Sequence, residues 1–267
     1  MQKTIFITGA SAGLGKATAK LFQSKGWKVV ATMRNPEKET ELTKLNHVTV
    51  LPLDVTDLAQ IKSTVERTIT LGGTDVVFNN AGYALTGALE SISDDKMVRQ
   101  INTNLLGTLR VTQAFIPYFR QRRNGLFIAT TSIGGIYTFP LNSLYHATKW
   151  ALEGWSESMS FELAAFNIGI KTIAPGGIIT DFMDRSLDAN SLPEYQQLEN
   201  KVANGMSEGL KTASTAEQIA EVVYEAATDG KDQVRYVAGA DAKAMYARRL
   251  EIGNEASRKE IGSLFLA

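Results

Sequence analysis

The sequence of 267 residues has no cysteine, two histidines and six prolines, and its 28 basic side chains are matched by 28 acidic ones. Each shortage excludes something. Without cysteine there are no disulfides, no thiolate zinc sites and no cysteine nucleophile. His47 and His146 alone cannot build a histidine-rich metal site, so the chemistry is expected to need no metal. Zero net charge removes the long-range field that draws nucleic acid or an anionic membrane, and neither is expected as a partner. The opening apolar run, Ile5-Phe6-Ile7, is too short for a signal peptide. No stretch approaches the roughly 18 apolar residues of a membrane span. A globular cytoplasmic protein is expected.

What is present is a regular alternation. Short apolar runs stand at 4–8, 28–33, 48–53, 75–79, 125–131, 169–174 and 234–237. Helical patterns lie between them near 13–25, 57–71, 94–120, 143–166 and 215–229. The runs are continuous rather than alternating, as in strands buried on both faces. Strand–helix alternation predicts right-handed βαβ units. The predicted fold class is therefore α/β, with a single domain over 1–267. It is a three-layer, doubly wound parallel sheet of Rossmann type, with about seven strands and helices on both faces. Two regions fall outside the pattern. The segment 181–211 is long and of mixed polarity. The extension 241–267 carries Lys, Arg and Glu at helical spacing and ends in Leu264-Phe265-Leu266, which predicts a solvated helix followed by a docked end.

The first run leads through Thr8-Gly9-Ala10-Ser11-Ala12-Gly13-Leu14-Gly15-Lys16 into a helix. Glycines there allow a tight turn, close approach to a pyrophosphate and close helix–sheet packing. The helix start offers free N–H groups to a phosphate. A dinucleotide site is predicted, because the loop stands between the first strand and the first helix. After the second run, Met33-Arg34-Asn35 lacks the carboxylate that an NAD site places about 20 residues past the glycines. Arg34 can instead hold a 2′-phosphate bidentately, with Asn35 or Ser11 assisting. NADP(H) is the expected cofactor, with NAD as the alternative.

Tyr145-His146-Ala147-Thr148-Lys149 places a phenol and an ammonium on one helical face. Alone this pair is weak. Its context adds Ser132 at a strand end and Asn104 in mid-helix, where an amide has no propensity reason to stand. Thr131 is a rival donor to Ser132, though it faces the other side of an extended segment.

The Thr-Gly-x-x-x-Gly-x-Gly spacing, Asn79-Asn80-Ala81-Gly82, Tyr-x-x-x-Lys and Pro175-Gly176-Gly177-Ile178 together resemble the short-chain dehydrogenase/reductase family over about residues 3–240. The resemblance implies a catalytic tetrad of Asn104, Ser132, Tyr145 and Lys149. Tyr145 would be the acid–base, Lys149 would lower its pKa and bind ribose, and Ser132 would orient the carbonyl. Asn104 would hold a helix distortion that supports the proton relay. The implied cofactor site comprises Gly9, Ser11, Gly13, Leu14, Gly15, Arg34, Asp54, Val55, Asn80, Ala81, Gly82, Tyr145, Lys149, Pro175, Gly176, Ile178 and Thr180. Asp54-Val55 would meet adenine, although capping of the helix from Asp57 onward is an equal role for Asp54. The Ile178 backbone and the Thr180 hydroxyl would hold the nicotinamide carboxamide.

The same resemblance makes 181–211 a substrate lid, against the alternative of a permanently docked helical pair. The ending Val234-Arg235-Tyr236-Val237-Ala238-Gly239-Ala240-Asp241 replaces the Asp-Gly-Gly finish of many tetrameric members. It is more similar to the hydroxysteroid- and retinal-type branch, and a homodimer or homotetramer is expected. The implied reaction passes a hydride between nicotinamide and a small-molecule ketone, aldehyde or secondary alcohol. Apolar or aromatic substituents are expected from candidate walls at Tyr83, Ile133, Tyr137, Phe139, Phe182, Met183, Leu187 and Met206. A sugar-nucleotide epimerase would need a longer C-terminal domain. A non-catalytic dinucleotide sensor would have no use for the four matching tetrad positions.

Overall fold

A strand covered on both sides needs apolar residues at odd and even positions alike. In the computed structural model, which describes residues 2–179 and 186–266, β1 (Thr4–Ile7) meets this requirement. Ile5 and Ile7 enter one core and Phe6 the other. β2 (Lys28–Met33) and β4 (Val76–Asn79) repeat the split: Val29, Ala31, Val76 and Phe78 face the first core, Val30 and Val77 the second. With β3 (Val48–Pro52), β6 (Gly125–Thr130), β7 (Ile168–Pro175) and β11 (Arg235–Ala238) they form a seven-stranded sheet. Its order is β3-β2-β1-β4-β6-β7-β11 and every pairing is parallel. Six of the seven predicted runs differ from the observed strands by one residue at one or both ends, and the second coincides.

Helices α1 (Gly13–Ser24) and α7 (Ala216–Thr228) cover the first face, with Phe22, Ile219 and Val223 in its core. Helices α2 (Leu58–Thr70), α4 (Gly107–Arg122) and α5 (Ser143–Ala164) cover the second. There Phe6 meets Phe115 edge-on at 4.9 Å and Phe119 meets Phe127 at 5.0 Å. Each such fully buried side chain contributes about 1.5–3 kcal/mol. The direction of winding reverses between β1 and β4, and a crevice opens beyond the strand ends at such a point.

The structure differs from the sequence pattern in three places. The helix expected over 94–120 is α3 (Asp94–Ile101), then a π-helical turn at Asn102–Leu106, then α4. Segment 181–211 contains β9 (Leu187–Ala189), paired in parallel with β5 (Ala84–Thr86), and helix α6 (Gln196–Leu210). β8 (Ile178–Ile179) likewise pairs with β10 (Ser214–Thr215). Strands of two or three residues are too short to show any period. The extension is two helices, α8 (Ala240–Ile252) and α9 (Asn254–Leu266), where one helix and a docked end were expected. Gly253, at φ 80°, separates them. Among the described residues, no helix is long and apolar enough to cross a membrane.

Candidate active site

The glycine loop is shaped by what presses on it. Gly9 has φ 67°, and a Cβ there would stand 2.9 Å from the Ala81 Cα. Gly15 lies beneath the loop, where a Cβ would collide with the Gly9 carbonyl oxygen. Thr8 Oγ1 accepts from the Asn80 and Ala81 backbone N–H groups at 2.9 and 3.0 Å. Asn80 Nδ2 donates to the Thr8 and Gly9 carbonyls, both at 3.2 Å, and its Oδ1 accepts from Thr130 at 3.2 Å. The Asn80 amide thus ties three strand ends together. Helix α1 starts from Ala12 with no side-chain cap and no acidic residue in its first turn. Its leading N–H groups and positive dipole end suit a phosphate.

Arg34 follows β2 on the wall of the same cavity, with Gly9, Ser11, Gly13 and Leu14. It is exposed and makes no hydrogen bond or ion pair with the described residues. Met33 is buried beside it and offers no carboxylate. Asp54 and Val55 also line the cavity. Asp54 Oδ1 closes its own turn on the Thr56 N–H and hydroxyl at 2.9 and 2.7 Å. Capping of α2 belongs to Asp57, which accepts from Ala59 and Gln60 at 2.8 and 3.1 Å. That corrects the capping alternative for Asp54: its carboxylate is already committed two residues downstream.

Helix α5 places Tyr145 and Lys149 on the cavity wall together with Ser132, which ends the segment after β6. Ser132 Oγ accepts from the Gly134 N–H at 3.0 Å, and its hydroxyl engages Tyr145. Thr131, the rival donor, spends its hydroxyl on the Ile173 carbonyl at 3.0 Å. Burial pushes the Tyr145 phenol above its usual range, and the Ser132 hydrogen bond opposes this. Lys149 Nζ lies 5.7 Å from the Tyr145 ring centroid and donates to the Thr130 carbonyl at 2.8 Å. Burial lowers the Lys149 pKa to about 8, against the pull of Glu153. His146 locks the next loop: Nδ1 meets the Gly134 carbonyl at 2.7 Å, and Nε2 accepts from the Phe139 N–H at 3.0 Å. Nε2 must be unprotonated to accept, in keeping with a pKa that burial lowers.

Asn104 lies behind the wall, within the π-helical turn, and is buried. Its amide grips the Tyr83 backbone in both directions, accepting from the N–H at 3.0 Å and donating to the carbonyl at 2.8 Å. Its link to the cavity wall runs through the Gly82–Tyr83 segment that it holds. A π-turn inside a helix is a feature that recurs at functional sites.

The cavity measures about 830 Å³ and runs from the glycine loop past Ser132 to α6. Ala81, Gly82, Pro175, Gly176 and Ile178 line it, while Thr180, Phe182 and Met183 lie outside the described residues. Of the predicted substrate walls, Tyr83, Ile133, Phe139, Leu187 and Met206 are in place. Tyr137 is instead buried in a cluster with Ile133 and Ala242, because the His146-held loop turns it inward. The sequence reading missed Val202, Leu210, Met245 and Phe265 on the wall, and Asp241 beside Gly176. The spacing of Val202, Met206 and Leu210, four apart on one helix, was the available signal.

The sequence model of short chain dehydrogenases matches residues 3–191. The chain belongs to the short-chain dehydrogenase family. These are oxidoreductases, and similar proteins carry that description. An uncharacterized oxidoreductase of Schizosaccharomyces pombe is 40% identical over 208 residues, covering 78% of this chain and 88% of the relative. An oxidoreductase of Botryotinia fuckeliana is 35% identical over 97% of both chains. Human 17-beta-hydroxysteroid dehydrogenase type 1 is 31% identical over 87% of this chain and 76% of its own. Among solved structures, a short-chain dehydrogenase from Streptomyces avermitilis superposes with a TM-score of 0.86 at 28% identity, covering 98% of this chain and 95% of that one. ElxO, solved with NADP bound, gives a TM-score of 0.75 at 26% identity over 89% and 98%.

Proposed function

We propose that this oxidoreductase is an NADP(H)-dependent carbonyl reductase or alcohol dehydrogenase for substrates with apolar or aromatic substituents. The observation that carries the reading is one cavity whose wall holds the glycine loop and free Arg34 at one end and Ser132, Tyr145 and Lys149 further along. The NADP-bound ElxO structure supports the cofactor, and the hydroxysteroid dehydrogenase relative supports an apolar substrate. When bound, the reduced nicotinamide supplies a hydride to the carbonyl carbon. Ser132 donates a hydrogen bond to the carbonyl oxygen and stabilises its developing charge. Tyr145 delivers its phenolic proton to that oxygen, completing the alcohol; in oxidation the tyrosinate takes the proton back. A phenol held above its usual pKa is protonated at neutral pH, as the reducing direction requires. The Lys149 ammonium stabilises the tyrosinate left behind. The same reading keeps one catalytic domain and a cytoplasmic homodimer or homotetramer.

The test follows nicotinamide absorbance with NADPH, and NADH in parallel, against aryl ketones, ketoesters, aldehydes and steroids. Turnover with NADPH on the apolar carbonyls is expected. Faster turnover with NADH would move the protein to the NAD alternative, and no turnover on any carbonyl would overturn the reading.

A further inference from the structure

Asp241 stands in the first turn of α8, beyond the region matched by the family's sequence model. Its Oδ2 accepts a 2.8 Å hydrogen bond from the Gly177 backbone N–H, in the turn between β7 and β8. Its Oδ1 is buried and has no hydrogen-bond partner among the described residues. Two glycines make room for the carboxylate. A Cβ on Gly176 would collide with it, and one on Gly239 would stand 2.6 Å from Oδ1. The far side of the turn is held as well: the Gly177 carbonyl accepts from the Ser214 N–H at 3.0 Å. Gly177 is therefore gripped through both of its backbone polar groups, and the turn it belongs to forms cavity wall.

An aspartate in a first helical turn is favoured by the helix dipole wherever it points. That explanation does not account for this one. Its carboxylate leaves the α8 N–H groups and turns against Gly176 and Gly177, at the cost of a buried oxygen with no donor. We propose that Asp241 is a positioning residue for the cofactor's nicotinamide end, its carboxylate setting the conformation of the Pro175–Ile178 turn. The C-terminal extension is thereby coupled to cofactor binding. The ligand's identity rests on the proposed function, whereas the clamp on Gly177 does not.

Two variants separate the possibilities. Asp241→Asn keeps an oxygen acceptor for Gly177, and Asp241→Ala removes it. Amide hydrogen exchange over 175–179 is read in the cofactor-free protein, and NADP⁺ affinity by calorimetric titration. The alanine variant is expected to speed exchange at Gly177 and Ile178 by about tenfold or more, the size of a lost charge-assisted hydrogen bond. Protection of the central sheet should be kept, and NADP⁺ should bind about tenfold more weakly. The asparagine variant should stay within about threefold of the parent in both. Unchanged exchange and affinity in Asp241→Ala would overturn the clamp. So would loss of protection spread evenly through β7 and β11, or an asparagine variant as impaired as alanine. If Asp241→Ala does not fold, Asp241→Ser, too short to reach Gly177, carries the same comparison. A parent that binds no NADP⁺ sinks the cofactor reading alone, since the exchange measurement needs no cofactor.

Discussion

At one end of the cavity, Thr8, Asn80 and Thr130 bind three strand ends to the glycine loop, and backbone atoms press on Gly9 and Gly15. At the other end, α6 buries Val202 alone and leaves Met206 and Leu210 more than a third exposed. At the first end Thr8, Gly9, Gly15, Asn80 and Thr130 accept little change of residue type, because each is fixed by a hydrogen bond or by the absence of a side chain. The second is a wall of interchangeable apolar residues on a lightly attached helix. Local stability follows such differences in packing and hydrogen bonding, and ligand-closing segments come from the weakly held end.

The largest expected effect breaks the chemistry between the two ends without disturbing the packing of either. Tyr145→Phe removes only the phenolic oxygen. Single-turnover reduction should fall by about 10²–10⁴-fold, the range for a lost general acid. NADP⁺ affinity from titration should stay within about twofold, since the proton is used only in the chemical step. Near-parental turnover would remove Tyr145 from the site. Arg34→Ala comes next. If the guanidinium holds a 2′-phosphate, the kcat/KM preference for NADPH over NADH should shrink by an amount worth about 1–3 kcal/mol, mainly through KM. A parent that prefers NADH would contradict this.

The pH profile sharpens the comparison further. Lys149, with a pKa lowered to about 8, loses its charge as pH rises through that value. The reductive kcat/KM should therefore fall on the alkaline side of about 8. Stability should move the other way. Between about 8 and the unfolded value of 10.5, the unfolded chain holds more protons at this position. Its contribution to stability thus grows with pH across that window. Activity that declines only in step with unfolding would show that the titration is not this group's.

The same contrast explains what was legible in the sequence. The sheet was readable because both of its faces are covered, so Ile5, Phe6 and Ile7 all had to be apolar. That the glycine loop, Ser132, Tyr145 and Lys149 line one cavity was readable, because the loop joins a strand to a helix, Ser132 follows a strand end and Tyr145 and Lys149 share one helical face. The position of Asn104 behind the wall was not, since an amide carries no mark of which backbone it will bind. Nor was the placing of Asp241: an aspartate in a first helical turn looks the same whether it faces water or clamps a turn across 64 residues of chain. Phe265 was unreadable for a third reason. It lies between Leu264 and Leu266, which are 68% and 71% exposed, and only the packing of α9 selects the ring that turns toward the cavity.

The smallest expected effect concerns the weakly held end. Segment 187–190 is rooted: β9 pairs with β5, and Lys96 binds Asp188 at 2.8 Å and Asn190 at 2.7 Å. Beyond that root, α6 is mostly exposed after Val202, and Gly209 lines the cavity with no atom of the described residues within 4 Å of its Cβ position. A lid with a fixed root and a free far end predicts uneven protection. Addition of NADP⁺ and substrate should slow amide exchange across 200–211 while leaving 187–190 unchanged. Equal protection in both states would mean a permanently docked helix. Gly209→Leu then tests the wall itself. Leucine is the better helix former by roughly 0.5–1 kcal/mol, so the melting temperature should hold or rise slightly. The side chain projects into open cavity, so kcat/KM should fall for the bulkiest ketones and stay near parental for the smallest, a spread of about tenfold. A uniform loss across all substrates would instead place α6 in the cofactor-holding machinery, and the division between the two ends would not stand.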